Sequence, residues 1–207
     1  SGCQRGCIAC GNLCPTAAIR PISVAERLGT DGFAEQGPIR IGTAFVDRGR
    51  CLPWAMDRPC IVCQENCPVS PKAIYTREEY RPVRLGGELR LTGMQGNRLQ
   101  FDGPPLPADR FATGDYYVTM HKEHDLPPAR ISDIGPNGMT LAENPFAETT
   151  EAGKPITLLV RLQLPFVDPA HCIGCGVCEH ECPVKGRRAV RVTAENESRQ
   201  HRHRLLL

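Results

Sequence analysis

Several features are scarce in this sequence. Aromatic residues make up 5% of the 207 positions, with a single Trp, which argues against one large aromatic-rich core. The formal charge of +2 is too close to neutral for a nucleic-acid surface. The longest apolar run, ITLLVRLQLPFV at residues 156–167, is broken by Arg161, Gln163 and Pro165, so no stretch reads as a membrane-spanning helix. No signal-peptide pattern is visible. No glycine fingerprint follows a strand, no phosphate-binding P-loop occurs, and no Ser-His-Asp arrangement stands out. Substrate turnover and nucleotide binding therefore leave no signature. A cysteine motif begins two residues after Ser1, and the chain is expected to be the later part of a longer protein.

Glycine, proline and cysteine are plentiful. The 20 Gly and 19 Pro favour short elements joined by many turns, and the length allows one large domain or two small ones. The 12 Cys fall into three groups of four: Cys3, Cys7, Cys10, Cys14; then Cys51, Cys60, Cys63, Cys67; then Cys172, Cys175, Cys178, Cys182. The third group, CIGCGVCEHECP, has the spacing C-x2-C-x2-C-x3-C-P, the bacterial ferredoxin run for a [4Fe-4S] cluster. Three closely spaced thiolates on a tight loop can each reach a different iron of one cubane. Gly174 and Gly176 let the backbone curl and aim its N–H groups at the sulfurs. The fourth Cys points away, and in two-cluster ferredoxins it ligates the other cluster.

The first two groups are variants, C-x3-C-x2-C-x3-C-P and C-x8-C-x2-C-x3-C-P, and all three share the ending C-x2-C-x3-C-P. A disulfide framework has no need of Cys-Pro three times, and Cys residues this close in a tight loop rarely pair. Zinc takes well-separated C-x2-C pairs, whereas here another Cys-Pro follows each pair at once. C-type haem needs C-x-x-C-H, and no such string occurs. Iron–sulfur ligation remains.

Groups two and three read as partners. TAFVDRGRC leads into Cys51 and PFVDPAHC into Cys172; CPVSPKAIYT follows from Cys67 and CPVKGRRAVRV from Cys182. This is a two-fold repeat of strand, loop, helix and strand, the plan of a dicluster ferredoxin. One cluster is predicted on Cys51, Cys60, Cys63 and Cys182, and a second on Cys172, Cys175, Cys178 and Cys67. Group one lacks a partner. Either Cys14 closes its own cluster, or a fourth motif upstream of Ser1 completes the pair; the abrupt start favours the second, so one of the three clusters needs a ligand from outside this chain. Trp54, in the long spacer of group two, either shields a cluster loop or packs in the core. His180 has four Cys around it in sequence and reads as a supporting or solvent-facing residue, not a ligand.

Cys67 and Cys172 are separated by 104 residues. GELRLTG, NRLQFDG, DYYVTMH, ARISDIG, GMTLAE and KPITLLVRLQLPFV read as short strands, with turn signals at Gly96-Asn97 and at Pro136-Asn137-Gly138. The expected fold class is α+β: a ferredoxin-like dicluster [4Fe-4S] framework at residues 1–79 and 167–207, with an inserted small antiparallel β domain, barrel-like or sandwich-like, at residues 80–166. The ends of the insert must lie close together for the two halves to meet. His121 and His124 would need a third ligand to hold a metal, and none is near in sequence. They read as exposed, and Asp102, Asp109, Asp115, Glu123 and Asp125 as surface charge. The insert is expected to be a docking surface or a lid. RQHRHR near the C-terminus is a solvated basic run able to meet an acidic partner or lipid head groups.

The strings GCQRGCIACGNLCPTAAIRP, IRIGTAFVDRGRCLPWA, PCIVCQENCPVSPKAI and DPAHCIGCGVCEHECPVKG resemble the multi-cluster ferredoxins (polyferredoxins) related to the periplasmic nitrate reductase and methylamine-utilisation ferredoxins. The resemblance covers roughly residues 1–75 and 166–207; the long stretch between groups two and three departs from it. It implies four cysteine motifs, the first lying upstream of this chain. It also implies an electron-transfer iron–sulfur protein or subunit that relays single electrons through three [4Fe-4S] clusters between redox partners, next to a membrane quinol/quinone-linked complex. The alternative is the electron-relay part of a larger oxidoreductase whose catalytic centre lies outside this chain. The partners expected are redox proteins in a larger membrane-associated complex, with neither nucleic acid nor a small-molecule substrate. The location expected is membrane-associated or periplasmic, with the cytoplasm, where reduced thiolates are natural, as the alternative.

Overall fold

The computed structural model describes residues 6–84, 88–106, 111, 115–120, 126–146 and 152–198. Cys3, Asp109, His121, Glu123, His124, Asp125 and the RQHRHR run lie outside the described residues. In chain order the first elements are α1 (Ala9–Asn12), α2 (Val24–Leu28), β1 (Thr43–Val46), α3 (Leu52–Ala55), α4 (Val62–Glu65) and β2 (Ile74–Pro82). There follow β3 (Leu89–Gln95), β4 (Arg98–Asp102), β5 (Tyr116–Met120), β6 (Ala129–Gly135), β7 (Gly138–Leu141), β8 (Pro155–Val167), α5 (Val177–Glu181) and β9 (Val190–Thr193). Two compact units result: unit one is Ser1–Met56, Ile61–Arg77 and Leu164–Leu207, and unit two is Asp57–Cys60 and Glu78–Gln163. The division falls inside β2 and β8 and, around Asp57–Cys60, in the loop between α3 and α4.

Unit one is built on an exchange of strands. β1 pairs antiparallel with β9, with Thr43 opposite Thr193 and Val46 opposite Val190, while β8 lies beside β2. Each strand leading into one cysteine group thus pairs with the strand leaving the other. The exchange repeats in detail. Asp47 N–H donates to Ala189 O at 2.7 Å, and Asp168 N–H to Ala73 O at 2.7 Å. Each Asp then turns its own loop: Gly49 N–H donates to Asp47 Oδ1 and Ala170 N–H to Asp168 Oδ1, a local side-chain turn that fixes the backbone. Cys51 N–H and Cys172 N–H close these loops onto the Asp47 and Asp168 carbonyls, both at 3.1 Å. The short helices α4 and α5, which carry Cys63 and Cys178, pack against each other. Ahead of this repeat, α2 starts at a Ser23 cap whose Oγ accepts from Glu26 N–H at 3.0 Å, satisfying a first-turn donor.

The core of unit one is small. Its buried members are Ala44, Val69, Ala73, Ile74, Ile173, Ala189 and Val190 together with Cys51, Cys172, Cys178 and Cys182. More than a third of the buried set is thiol.

Unit two is a closed antiparallel barrel. The order β8-β3-β4-β7-β6-β5 returns to β8 through a second pairing, β5 with β8. Alternation along each strand sends one face inward: Ile156, Leu158, Val160 and Leu162 of β8, Tyr116, Val118 and Met120 of β5, and Leu99 and Phe101 of β4 are all buried. Side chains therefore fill the interior, as small barrels require. Bulges between Leu91 and Gly93 and between Ile131 and Asp133 add the local bend that closure needs. The β3–β4 turn is Gly96-Asn97, and the β6–β7 turn is Pro136-Asn137 with Gly135 paired to Gly138.

Asp57 explains why its short stretch belongs to this unit. It is buried, its carbonyl accepts from Tyr116 OH at 3.4 Å, and its carboxylate lies 3.6 Å from Arg84 Nε. Asp102 is exposed, whereas Asp115 is held by Arg161 at 2.7 Å.

Leu99→Ala is expected to destabilise the barrel by about 3 kcal/mol, and Gln100→Ala on the outer face of the same strand by less than about 0.5 kcal/mol. Denaturant unfolding followed by far-UV circular dichroism separates the two; equal costs would contradict the inward register of β4.

Candidate metal centre

The turn into α5 shapes the site. Gly174 and Gly176 adopt left-handed φ values of 70° and 77°. A Cβ on Gly174 would come within 2.5 Å of Gly42 N, while one on Gly176 would meet nothing within 4 Å. Gly174 is thus needed for both space and conformation, Gly176 for conformation alone. The turn sets Cys172, Cys175 and Cys178 around one pocket. Cys67, from group two, completes the sulfur lining, and Ala44, Val69, Ala73, Ile74 and Ile173 form apolar walls. Cys172 and Cys178 are buried, and Cys67 and Cys175 half-buried. Ala44 N–H donates to Cys172 Sγ at 3.3 Å.

Burial pushes the Cys178 thiol up to about 12, helped by the neighbouring sulfurs of Cys175, Cys172 and Cys63. A thiol placed like Cys178 resists becoming an anion; the positive charge of bound metal would remove that cost. Among the described residues, no three His, Cys, Asp or Glu side chains meet at the position of one ion. The four thiols instead face a shared pocket, the layout of a polynuclear centre whose ligands each take a different metal atom. An all-thiol donor set, an apolar wall and a backbone N–H directed at sulfur suit an iron–sulfur cubane.

Two cations brace the loops. Lys72 Nζ donates to the carbonyls of Gln64 at 2.7 Å and Glu65 at 2.8 Å at the end of α4. Arg188 donates to the carbonyls of Cys182 and Val184. A basic residue shortly after each Cys-Pro was a legible signal for both.

Of the other expected ligand set, Cys51 and Cys182 are buried in the same core of unit one, with Cys63 packed against it. Cys60 is half-buried in the short stretch assigned to unit two. In group one, Cys7 and Cys10 are exposed and Cys14 is half-buried. All eleven described cysteines are thiols. Backbone N–H of Ile19, then the Thr16 hydroxyl 3.7 Å away, pull the Cys14 thiol below its usual range. Trp54 is a packing residue: Nε1–H donates to Pro165 O at 3.3 Å, and its ring meets Phe166 edge-on at 5.6 Å. His180 points to solvent, its side chain 85% exposed and paired with Glu181.

Sequence reasoning missed Ala44, because a backbone donor leaves no residue-type signal. The repeat makes the position visible afterwards. Ala44 precedes Cys51 by seven residues, and Pro165 precedes Cys172 by seven. Pro165 has no N–H to offer, so the two halves differ at this position.

Residues 165–186 match the family model of the 4Fe-4S binding domain, the segment that contains Cys172, Cys175, Cys178 and Cys182. No curated protein and no solved structure matches the chain. The match makes this an iron–sulfur protein of ferredoxin type, with an electron-transfer role and at least one [4Fe-4S] cluster.

In the metal-free chain, the lowered Cys14 pKa leaves more thiolate at neutral pH. Thr16→Val removes one of its donors, raises that pKa, and is expected to slow iodoacetamide alkylation of Cys14 a few-fold at neutral pH, read by peptide mass mapping. An unchanged rate would contradict the hydrogen bond's role.

Proposed function

We propose that the chain is an electron-transfer subunit of polyferredoxin type that relays single electrons through three [4Fe-4S] clusters between redox partners. One observation carries this reading: Cys67 joins Cys172, Cys175 and Cys178 at one pocket, so sulfur from two motifs 104 residues apart lines a single site. When bound, a cubane on four thiolates accepts and returns one electron.

The chain's own residues tune that chemistry. The Ala44 N–H on Cys172 Sγ stabilises added negative charge at that sulfur. Lys72 and Arg188 bring positive charge to the ends of the two cysteine loops. Ala44, Val69, Ile74 and Ile173 exclude water. The exchanged strands support a ferredoxin-like dicluster framework, with the second cluster held by Cys51, Cys60, Cys63 and Cys182. The third takes Cys3, Cys7 and Cys10, and its fourth ligand is either Cys14 or one supplied from outside the chain. The family resemblance supports a larger membrane-associated, quinol-linked complex as partner and a membrane-associated or periplasmic location. Among the described residues no helix is long and apolar enough to cross a membrane.

Cys67→Ala tests the shared site. It is expected to lose about four iron per chain and to remove the magnetic interaction between paired clusters in the EPR spectrum of the dithionite-reduced protein. Full iron content with an unchanged spectrum would remove Cys67 from the site. Pro165→Ala tests the asymmetry between the halves. By adding an N–H where Ala44 has one, it is expected to raise the midpoint potential of the Cys51 centre by tens of millivolts and bring the two potentials closer. Potentials that stay as far apart would rule out this donor position as their cause.

A further inference from the structure

We propose that the face between β1 and the end of β8 is the surface on which an acidic redox protein docks to exchange electrons with the centre lined by Cys67, Cys172, Cys175 and Cys178. The proposal rests on the electron-transfer reading above.

A surface pocket of about 260 Å³ lies there, floored by Phe45, Val46, Phe166 and Val167. Ala44 lines this pocket and also lines the cysteine pocket. Since its N–H donates to Cys172 Sγ, a single residue separates the surface from a sulfur of the centre. Electron exchange needs such a thin wall.

Among the described residues the one charged side chain lining the pocket is Arg48, and two further arginines stack nearby. Arg48 lies 4.3 Å from the Trp54 ring centroid, Arg77 4.7 Å from that of Phe166, and Arg191 4.8 Å from that of Phe45. Stacking on aromatic faces holds a guanidinium flat without neutralising it. Among the described residues none of the three arginines forms an ion pair with a carboxylate, and Arg191 Nε is buried with no hydrogen-bond partner. The Asp47 and Asp168 carboxylates on the adjoining loops are held in local hydrogen bonds, Asp47 with Gly49 N–H and Asp168 with Ala170 N–H and His171, and not by any of the three arginines. One arginine over one ring is ordinary surface dressing. Three arginines with no carboxylate partner stand around one pocket, Arg48 and Arg77 sharing the Phe166 ring, and present a positive field. An acidic protein surface complements them.

The test uses the cluster-loaded protein on gold electrodes coated with carboxylate-terminated or amine-terminated monolayers. Wild type is expected to exchange electrons faster on carboxylate. Arg48→Glu with Arg191→Glu is expected to lose ~10-fold or more of that rate, with iron content and midpoint potential retained. The neutral pair Arg48→Gln with Arg191→Gln gives a smaller loss and covers the case where charge reversal disturbs folding. Arg98→Glu on the barrel keeps the wild-type rate. Emission from Trp54, the chain's single Trp, gives a second readout: it shifts on adding polyglutamate to wild type and not to the Glu variant. Wild-type rates and emission responses in both arginine pairs would overturn the proposal. So would a loss in Phe45→Ala with the arginine pairs unaffected, which would assign the pocket to an apolar ligand. Protein that holds no iron and gives no redox wave would overturn the electron-transfer reading and the docking surface with it.

Discussion

The exchange of strands, β1 with β9 and β8 with β2, is the constraint on which the rest of the structure depends. Two similar loops, each opened by an Asp and closed by a Cys, are tied to each other's exit strands through Asp47–Ala189 and Asp168–Ala73. With the strands crossed in this way, the last Cys of group two reaches the first three of group three. The exchange survives a 104-residue interruption because loop-closure entropy grows only slowly with length. The inserted barrel also lowers that cost, since its entering strand β2 and leaving strand β8 are neighbours in one sheet.

The two units are held by different physics. The barrel buries Leu, Ile, Val, Phe and Tyr side chains on every strand and follows the ordinary hydrophobic account. Unit one buries mostly Ala, Val and Cys. So small an apolar core supplies little folding free energy, and its Cys178 thiol, pushed up to about 12, resists ionising without metal. Metal binding to such a site is coupled to folding. The features that bind the cluster and those that stabilise the unit are then largely the same sulfurs.

Much of this was legible, for identifiable reasons. Period-two alternation and turn residues marked the segments that became β3 to β8, since an inward face and a two-residue turn leave direct traces in residue type. The choice between barrel and sandwich was not legible, because closure depends on β5 meeting β8 some forty residues later, a non-local pairing that no window contains. Cysteine spacing together with the two-fold repeat singled out Cys67, Cys172, Cys175 and Cys178 as one set, and these four line one pocket. What spacing could not reach was backbone and geometry: the Ala44 donor, the short helix α3 inside the long spacer of group two, and the buried Asp57 that draws Cys60's stretch into unit two. Trp54 could be placed on either side of the question by sequence; its bond to Pro165 O and its ring contacts make it a packing residue.

The central claim is that these cysteines hold cubanes. Iron and acid-labile sulfide per chain, measured on anaerobically purified protein, test it most directly. The account predicts about twelve of each when the outside ligand is supplied, and about eight from the two paired sites alone. Little iron with stoichiometric zinc, from cells competent in cluster assembly, would contradict it.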